Sequence, residues 1–436
     1  MIIMKFGGTS VGTAADIQTV LAIVRGHLDR QPVLVVSAHA GVTNALVDLS
    51  RRAPKGDADI SGIEERHRGI LKDLGLGQDL LDDLHDELRD LACGMKLVSE
   101  ASHRAVDVLL SYGERCSVRT LAAYFNAQGL PARAVDAFEA GLRTDSNFGR
   151  ARSLPDDGRI ASYLERIEEL PIVTGFLGRD GQGNITTLGR NGSDYSAALF
   201  GHALDAEEIQ IWRAVDGVMT ADPKLVSDAK PIPTLSFGEA SELAYYGGKV
   251  LHPATILPAM EKSIPVRVLN TNQLDSKGTV ILPDYDEPGV AVRAIVHKGG
   301  IFLINLVSPP MLQQHGFLAR VFHAAAEAKV DLDLLATSEV SISMTADRED
   351  NLADYASMLE ELGTVTIEPD HALICVVGQG IATTQGTAAK VLQTLAEADV
   401  RVRVISQGAI KLNIGLVIRQ QDLKQSVSAL HARFFS

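Results

Sequence analysis

The chain has 436 residues, enough for two or three domains, and its 46% hydrophobic and 22% charged residues are typical of globular proteins. The formal net charge of -14 disfavours nucleic acids and anionic membranes as partners. Cys93, Cys116 and Cys375 follow no disulfide or metal-site spacing, which predicts small buried residues in a reducing compartment. The chain starts in a strand without a signal-peptide pattern and has no membrane-spanning apolar run, so we expect a cytoplasmic location.

The first dozen residues predict a strand, a glycine turn and a helix. Met1–Phe6 is apolar except for Lys5, Gly7 and Gly8 break the run, and helical spacing of apolar residues follows from Thr13. Such glycines let backbone N–H groups approach a phosphate, and the helix adds the positive end of its dipole. Lys5 could neutralise a transferring phosphoryl group. The spacing is not that of a Walker A loop, and taken alone this pattern is more often a simple turn.

The continuous apolar run at 33–38 predicts a strand buried on both faces of a parallel sheet. Ser37 ends this strand, and Thr43 and Asn44 follow at the start of a helix. These polar residues therefore lie at a carboxyl end of a strand, where open α/β sheets bind ligands. Capping of the helix explains them equally well.

Residues 60–125 have a helical pattern, and within it Glu114 follows a glycine. A carboxylate there could bind a substrate ammonium group, although the local pattern alone favours a charge at a helix start. The turn-rich segment 135–154 is typical of an active-site loop or of an ordinary surface loop. A further buried strand is predicted at 172–178.

A second glycine-rich loop, Thr186–Asp194, also opens a helix. Arg190 could hold a carboxylate through two hydrogen bonds, and Asp194 could face a lysine or a magnesium ion. Lys249, which follows two glycines, is a candidate phosphate ligand. Two glycine loops combined with Lys5 and this charged pair favour phosphoryl transfer more than any single motif does.

The Pro- and Asp-rich segment 283–289 predicts the main domain boundary. Beyond it, a strand–helix–strand–strand order occurs twice and a last helix closes the chain, which indicates a weak internal repeat. This tail contains no catalytic constellation, so we expect it to be regulatory.

Together these stretches resemble the motifs of aspartate kinases along nearly the whole chain. The matching stretches are Lys5–Ser10, Val36–Ala38 with Thr43 and Asn44, Gly113–Arg115, Phe148–Arg150, Thr187–Asp194 and Gly248–Pro253. The resemblance implies an α/β fold with an amino-acid-kinase domain, a mostly parallel sheet sandwiched by helices, over 1–283. It implies two α+β ACT-type regulatory domains over 290–436, either intertwined or divided at approximately 290–367 and 368–436.

The resemblance also implies an activity, which is transfer of the ATP γ-phosphate to the β-carboxylate of L-aspartate, the first step toward lysine, threonine and methionine. It assigns catalysis to Lys5 and Asp194. The implied substrate residues are Thr43, Glu114, Arg190 and Ser193, with Glu114 on the ammonium group and Arg190 on the α-carboxylate. The implied nucleotide residues are Gly7, Gly8, Ser10, Lys224 and Lys249. Mg²⁺ would be carried by ATP, with no protein group binding the metal directly.

One segment departs from the family pattern. Arg213 and Ala214 replace Thr-Asp, Met219 replaces a tyrosine, and Lys224 replaces an arginine. Lysine keeps a phosphate-binding charge but loses the guanidinium fork. Because these positions line the nucleotide site in relatives, the departure predicts a change in ATP affinity, nucleotide preference or activity.

The tail is most similar to that of the lysine-sensitive class. The resemblance implies an inhibitor site made of Met311, Phe317, Leu318, Asp333 and Ser338. Asp333 would pair with the side-chain ammonium of lysine. Phe317 and Leu318 would present backbone groups to the α-carboxylate and α-ammonium. Gln314 departs from the small hydroxyl residue of relatives.

Two other functions stay open at this stage. One is an amino-acid kinase acting on glutamate or another carboxylate, against which the Glu114–Arg190 pair and the tail argue. The other is a non-catalytic amino-acid-binding regulator, which only the altered 213–224 segment favours. The resemblance further implies a homodimer or tetramer built through the ACT region, and no nucleic-acid or membrane partner.

Overall fold

The computed structural model describes residues 1–189, 191–246, 253–283, 285, 289–312, 314–408 and 412–435, with only the backbone of 253–256. The chain forms two compact units. The first comprises 1–218, 233–237 and 250–283, and the second comprises 219–232, 238–249 and 284–436. Within the described ranges, no helix is long and apolar enough to span a membrane.

The first 283 residues alternate between strands and helices. In chain order the elements are β1 (Ile2–Phe6), α1 (Ala14–Arg25), β2 (Pro32–Val36), α2 (Val42–Arg52), α3 (Ser61–Asp73), α4 (Asp82–Val98), α5 (His103–Ala127), β3 (Ala132–Val135), α6 (Arg159–Leu164), β4 (Leu170–Thr174), β5 (Leu177–Arg179), β6 (Ile185–Thr187), α7 (Gly192–Ala203), β7 (Glu208–Arg213), β8 (Thr234–Ser236), α8 (Phe237–Tyr245), α9 (Pro253–Glu261), β9 (Val266–Asn270) and β10 (Thr279–Leu282).

Eight of these strands form one sheet in the order β3-β4-β2-β1-β7-β9-β10-β8. All neighbouring strands are parallel except β9 and β10. β1 lies between β2 and β7, with Lys5 opposite Val35 and Ile211. The carboxyl ends of β1, β2 and β7 therefore meet at one edge, as expected for a ligand site in such a sheet.

The two faces of β1 have different partners because side chains alternate along a strand. Ile2, Met4 and Phe6 belong to the hydrophobic core that also contains the apolar stripe of α1. Ile3 points to the opposite face, where a Cβ added at Gly201 of α7 would lie 3.6 Å from its Cγ1. Lys5 shares that face, so its ammonium is directed toward α7.

The helices α2 to α5 form a second apolar layer around a separate core. Gly113 allows α5 to approach the end of β2, since an added Cβ would lie only 2.9 Å from the Cβ of Ala38. This close packing brings the adjacent residue, Glu114, to the edge of the sheet where β1 and β2 end.

The second unit is built on an antiparallel sheet. Its elements after residue 290 are β11 (Ala294–Val307), α10 (Phe317–Ala328), β12 (Leu335–Thr337), β13 (Ser341–Ala346), α11 (Leu352–Glu360), β14 (Thr364–Val377), α12 (Thr387–Glu397), β15 (Val404–Ser406), β16 (Asn413–Arg419) and α13 (Leu423–Phe435). The strand order is β12-β13-β11-β14-β16-β15. β11 and β14 pair along their whole length, with register shifts near Ile301.

Each of these two long strands contributes to two hydrophobic cores. Ile304 and Leu306 of β11 pack with α10 and α11 in one core. Ile295 of the same strand packs with α12 and α13 in the other, together with Ala221 and Val226 from the segment 219–232. The two repeats predicted in the tail therefore share one sheet.

Three local expectations were wrong. Glu114 does not start a helix but lies in the middle of α5. The strand expected over 172–178 ends at Thr174, and the chain then enters the separate β5–β6 hairpin. Cys93 is exposed, whereas Cys116 and Cys375 are buried as predicted.

Candidate active site

A buried cluster of three charged side chains lies where β1, β7 and α7 meet. The Nζ of Lys5 is 2.5 Å from Oδ1 of Asp194, and the guanidinium of Arg213 pairs with Oδ2 of the same carboxylate. The exposed fractions of the side chains are 7% for Lys5, 2% for Asp194 and 22% for Arg213. With two cations on one carboxylate, the cluster carries a net positive charge, which suits a site for a phosphoryl group.

The glycine-rich loop before α7 positions Asp194. Asn191 has a left-handed backbone with φ of 56°, and the helix begins directly after it at Gly192. Asp194 lies in the first turn, where the helix dipole favours an anion. Its backbone N–H donates to the carbonyl of Asn191.

Burial and charge pairing oppose each other in this cluster. Burial disfavours ionisation of Asp194, but Lys5 and Arg213 outweigh it and hold the pKa of the carboxyl below its usual range. Burial lowers the pKa of the Lys5 ammonium, and Arg213 adds to that effect while Asp194 opposes it. Asp194 thus keeps two buried cations in place, since burying either one unpaired would be costly.

The predicted glycine turn lies directly beside this cluster. A Cβ added at Gly7 would lie 3.6 Å from Nζ of Lys5, and one added at Gly8 would lie 2.8 Å from the carbonyl oxygen of Ala38. Only glycine fits the second position without moving the backbone. Ser10 follows in a short 3-10 helix and is buried.

Glu114 is a buried carboxylate near Lys5. Its Oε2 has no hydrogen-bond partner among the described residues. Burial raises the pKa of Glu114 to about 8, against weaker opposing effects from backbone hydrogen bonds and from Lys5. A buried carboxyl oxygen without a hydrogen-bond partner suits binding of a cationic group from a ligand.

The other predicted substrate residues are placed as follows. Thr43 lies in the first turn of α2 and is partly buried. Ser193 is buried in the first turn of α7, and a Cβ added at Gly175 would lie 2.5 Å from its Cβ, so the end of β4 approaches it closely. Arg190 lies outside the described residues.

The two predicted nucleotide lysines have different outcomes. Lys249 lies outside the described residues. Lys224 is exposed and belongs to the second unit, where its backbone N–H donates to Asp222.

Sequence reasoning missed two contacts in the first unit. Arg213 was noted as a departure at a position that lines the nucleotide site in relatives, and its contact with Asp194 was not foreseen. Asp107 of α5 was not singled out, yet it is buried and accepts hydrogen bonds from the N–H groups of Gly149 and Thr187, at 3.0 and 2.8 Å, and from the Thr187 hydroxyl at 2.9 Å. Asp107 is the one charged residue in the apolar run 106–110, and this pattern in the sequence could have identified it as a buried carboxylate.

The second unit contains the predicted inhibitor carboxylate. Both carboxylate oxygens of Asp333 lie 3.0 Å from Nζ of Lys298 on β11, and the same ammonium lies 2.8 Å from Asp347. Burial disfavours the charged form and raises the pKa of Asp333, while Lys298 opposes this shift. A lysine of the chain thus already occupies the position expected for the side-chain ammonium of a ligand.

The remaining predicted inhibitor residues are Phe317 and Leu318 at the start of α10, and Met311 and Ser338 outside that helix. Phe317 and Leu318 are its first two residues, so their N–H groups have no acceptor within the helix. Such a helix start favours a carboxylate. Met311 ends a short 3-10 helix and is partly buried, and Ser338 hydrogen-bonds Ser341.

Comparisons with known families agree with this architecture. Residues 1–270 match the model of the Amino acid kinase family, and residues 374–434 match an ACT domain. The fold and the site therefore define an amino acid kinase with a C-terminal ACT region.

Comparison with individual proteins narrows the class. The chain is 36% identical over 457 residues to aspartokinase 2, chloroplastic, of Arabidopsis thaliana, covering 99% of this chain and 84% of that protein. It is 33% identical over 458 residues to lysine-sensitive aspartokinase 3 of Escherichia coli, covering 100% and 99%. Escherichia coli aspartokinase III in complex with aspartate and ADP matches with a TM-score of 0.87 and 32% identity over the full length of both chains. The chain belongs to the aspartokinase family, as its motifs predicted.

We expect Asp194→Asn to lower the free energy of unfolding by about 3–5 kcal/mol, because it removes the charge that is paired with the buried ammonium of Lys5. Asp205→Asn is the matched control, since it removes an exposed carboxylate paired with Lys262 and should leave stability unchanged. Urea unfolding followed by circular dichroism measures both. Equal effects of the two substitutions would show that the cluster does not stabilise the fold.

Proposed function

We propose that the protein transfers the γ-phosphate of ATP to the β-carboxylate of L-aspartate, which yields 4-phospho-L-aspartate. The observation that carries this proposal is the Lys5–Asp194–Arg213 cluster near the buried carboxyl of Glu114, whose Oε2 has no hydrogen-bond partner among the described residues. One group of side chains offers positive charge to a phosphoryl group, and the other offers negative charge to an ammonium group. The complex of Escherichia coli aspartokinase III with aspartate and ADP supports the same substrates here.

In this proposal Lys5 and Arg213 stabilise charge on the transferring phosphoryl group, and Asp194 holds both cations in position. Gly7 and Gly8 offer backbone N–H groups to the phosphates. Phosphoryl transfer needs positioning and charge stabilisation more than covalent chemistry. These residues provide both kinds of contribution.

The substrate side of the site completes the proposal. Glu114 binds the α-ammonium of aspartate, and Arg190 binds its α-carboxylate through two hydrogen bonds. Thr43 and Ser193 line the same pocket. Ser10, Lys224 and Lys249 are proposed to contact nucleotide.

Mg²⁺, when bound with ATP, would neutralise phosphate charge. Asp194 is already paired with two cations, so it does not suit direct coordination of the metal. We therefore assign Mg²⁺ to the ATP phosphates with no direct protein ligand, in keeping with its preference for phosphate oxygens and water.

The decisive experiment measures ADP release with L-aspartate and with L-glutamate as acceptors. We expect activity with aspartate, a loss of about 100-fold or more in kcat for Lys5→Ala, and a smaller loss of kcat for Arg213→Met. Arg267→Met is the control, because Arg267 pairs with Glu208 on the neighbouring strand and not with Asp194.

Three results would contradict parts of the proposal. Preference for glutamate would assign a related kinase, and no phosphoryl transfer to either acceptor would support a non-catalytic regulator. An Arg213→Met variant with unchanged kcat but a changed KM for ATP would show that Arg213 contributes to nucleotide binding and not to phosphoryl transfer.

Glu114 makes aspartate binding depend on pH. With its pKa raised to about 8, the free side chain is mostly protonated at neutral pH, and pairing with an ammonium group requires loss of that proton. We expect affinity for aspartate to increase by up to about tenfold per pH unit as pH rises toward 8, with release of a proton on binding. Above pH 8 the affinity should level off.

Calorimetry in buffers of different ionisation enthalpy measures that proton release. Glu114→Gln should bind aspartate more weakly and without the pH dependence, whereas Glu87→Gln, at an exposed position on α4, should behave like the wild type. Proton release that persists in Glu114→Gln would assign the titration to another group.

We further propose that the tail binds L-lysine and inhibits the enzyme. The complex of Escherichia coli aspartokinase III with lysine and aspartate, with a TM-score of 0.79 and 32% identity, supports this regulation. Asp333 would take the side-chain ammonium, and Phe317 and Leu318 the α-carboxylate and α-ammonium, with Met311 and Ser338 beside them. Inhibition requires that lysine bind the inactive arrangement more tightly than the active one.

Lys298 competes with the ligand for Asp333 in this arrangement. We expect Lys298→Met to lower the lysine concentration for half-maximal inhibition by about tenfold, because a charged hydrogen-bonding site becomes vacant. Asp333→Asn should raise that concentration, and Lys390→Met, at an exposed lysine of α12, should not change it. Weaker inhibition in Lys298→Met would instead make Lys298 part of the inhibitor site.

We also propose a kinase domain over 1–283, a regulatory region over 290–436 and assembly through that region into a homodimer or tetramer. Leu318 and Phe322 support assembly, since they lie one turn apart on α10 with exposed fractions of 39% and 46%. The shared β11–β14 ladder supports an intertwined pair of ACT domains. A cytoplasmic location completes the proposal.

A further inference from the structure

Two histidines and a cysteine meet inside the helical layer of the first unit. His67 lies on α3, His85 on α4 and Cys116 on α5, and all three side chains are buried. One donor atom from each residue lies within 4.8 Å of the others. The three residues are far apart in sequence, so no local spacing motif predicts the cluster.

The imidazoles of this cluster have nitrogens without partners. Nδ1 of His67 and Nε2 of His85 are hydrogen-bonded to each other at 2.9 Å. The second nitrogen of each ring, Nε2 of His67 and Nδ1 of His85, has no hydrogen-bond partner among the described residues. Buried polar atoms are rarely left in this state, which points to a ligand.

A third histidine is oriented as metal-binding histidines usually are. The Nδ1–H of His39 donates to the backbone carbonyl of Val11 at 2.6 Å, which leaves Nε2 with its lone pair. That Nε2 is buried and has no partner among the described residues, and the ring centroid lies 5.7 Å from that of His67. In metal-binding histidines, the ring nitrogen that does not bind the metal commonly donates a hydrogen bond to a backbone carbonyl.

We propose that His67, His85 and Cys116 bind one divalent transition-metal ion, and that Zn²⁺ fits the site best. Two imidazoles and one thiolate are a donor set typical of zinc. Donors around tetrahedral zinc lie about 3.3–3.6 Å apart, so the observed cluster needs to contract by about 1 Å. His39, whose ring centroid lies 5.7 Å from that of His67, is a candidate fourth ligand.

The neutral imidazoles favour this assignment, whereas the protonated thiol opposes it. Burial lowers the pKa of His39 to about 4 and that of His67 well below its usual value, so both imidazoles are neutral at pH 7. Burial raises the pKa of the Cys116 thiol to about 12, and metal binding would therefore release its proton.

A bound metal would link three helices to each other. Cys116 lies two residues from Glu114 on α5, and the two side chains point to different sides of that helix. The ion would therefore stabilise the helix that carries the proposed substrate carboxylate without entering the substrate pocket.

The test uses the full-length protein after removal of metals with a chelator. We expect one equivalent of Zn²⁺ or Co²⁺ to bind per chain and to raise the melting temperature. Bound Co²⁺ should show a near-ultraviolet thiolate-to-metal absorption band. Cys116→Ser should abolish that band and weaken Zn²⁺ binding by at least about tenfold, and His85→Gln should weaken binding to a similar degree.

The chain provides two cysteine controls. Cys93→Ser, at the exposed position on α4, and Cys375→Ser, at the buried position in the second unit, should retain both the band and the affinity. Circular dichroism establishes that each variant is folded. Absence of stoichiometric binding in the wild type, or wild-type affinity in both Cys116→Ser and His85→Gln, would overturn the proposal.

Discussion

The carboxylate of Asp194 is the group on which the rest of the active site depends. It pairs with Lys5 from the central strand and with Arg213 from the adjacent strand, and the buried ammonium of Lys5 would be costly without it. The fold supplies the geometry, because parallel strands bring the ends of β1 and β7 to one edge and the glycine loop starts α7 there. Charge for phosphoryl transfer is thus built into the fold itself.

Much of this arrangement was predictable because it is encoded locally. The apolar run around Lys5, the glycines that follow it and the loop before Asp194 each have a short-range physical signature, and they predicted the strand–loop–helix segments that form the site. The same reasoning predicted the strand–helix–strand–strand order that the tail shows twice, in β11 to β13 and in β14 to β16. The ends of strands were predicted less accurately, since the strand expected over 172–178 ends at Thr174.

The remainder depends on contacts between residues distant in sequence. No local pattern reveals that Arg213 contacts Asp194, that Asp107 anchors the segments around Gly149 and Thr187, or that Lys298 occupies the position expected for an external ammonium. Glu114 is similar, since its high pKa results from burial by α5 packing and not from its neighbours in sequence.

The long ladder between β11 and β14 limits how the tail can be divided. Each strand supplies apolar side chains to two cores, so a cut anywhere along either strand removes part of both. Neither repeat could therefore be replaced alone by the corresponding repeat of a relative. The two repeats of the tail would have to evolve together. Changes that alter ligand preference in one half must remain compatible with the register that both halves share.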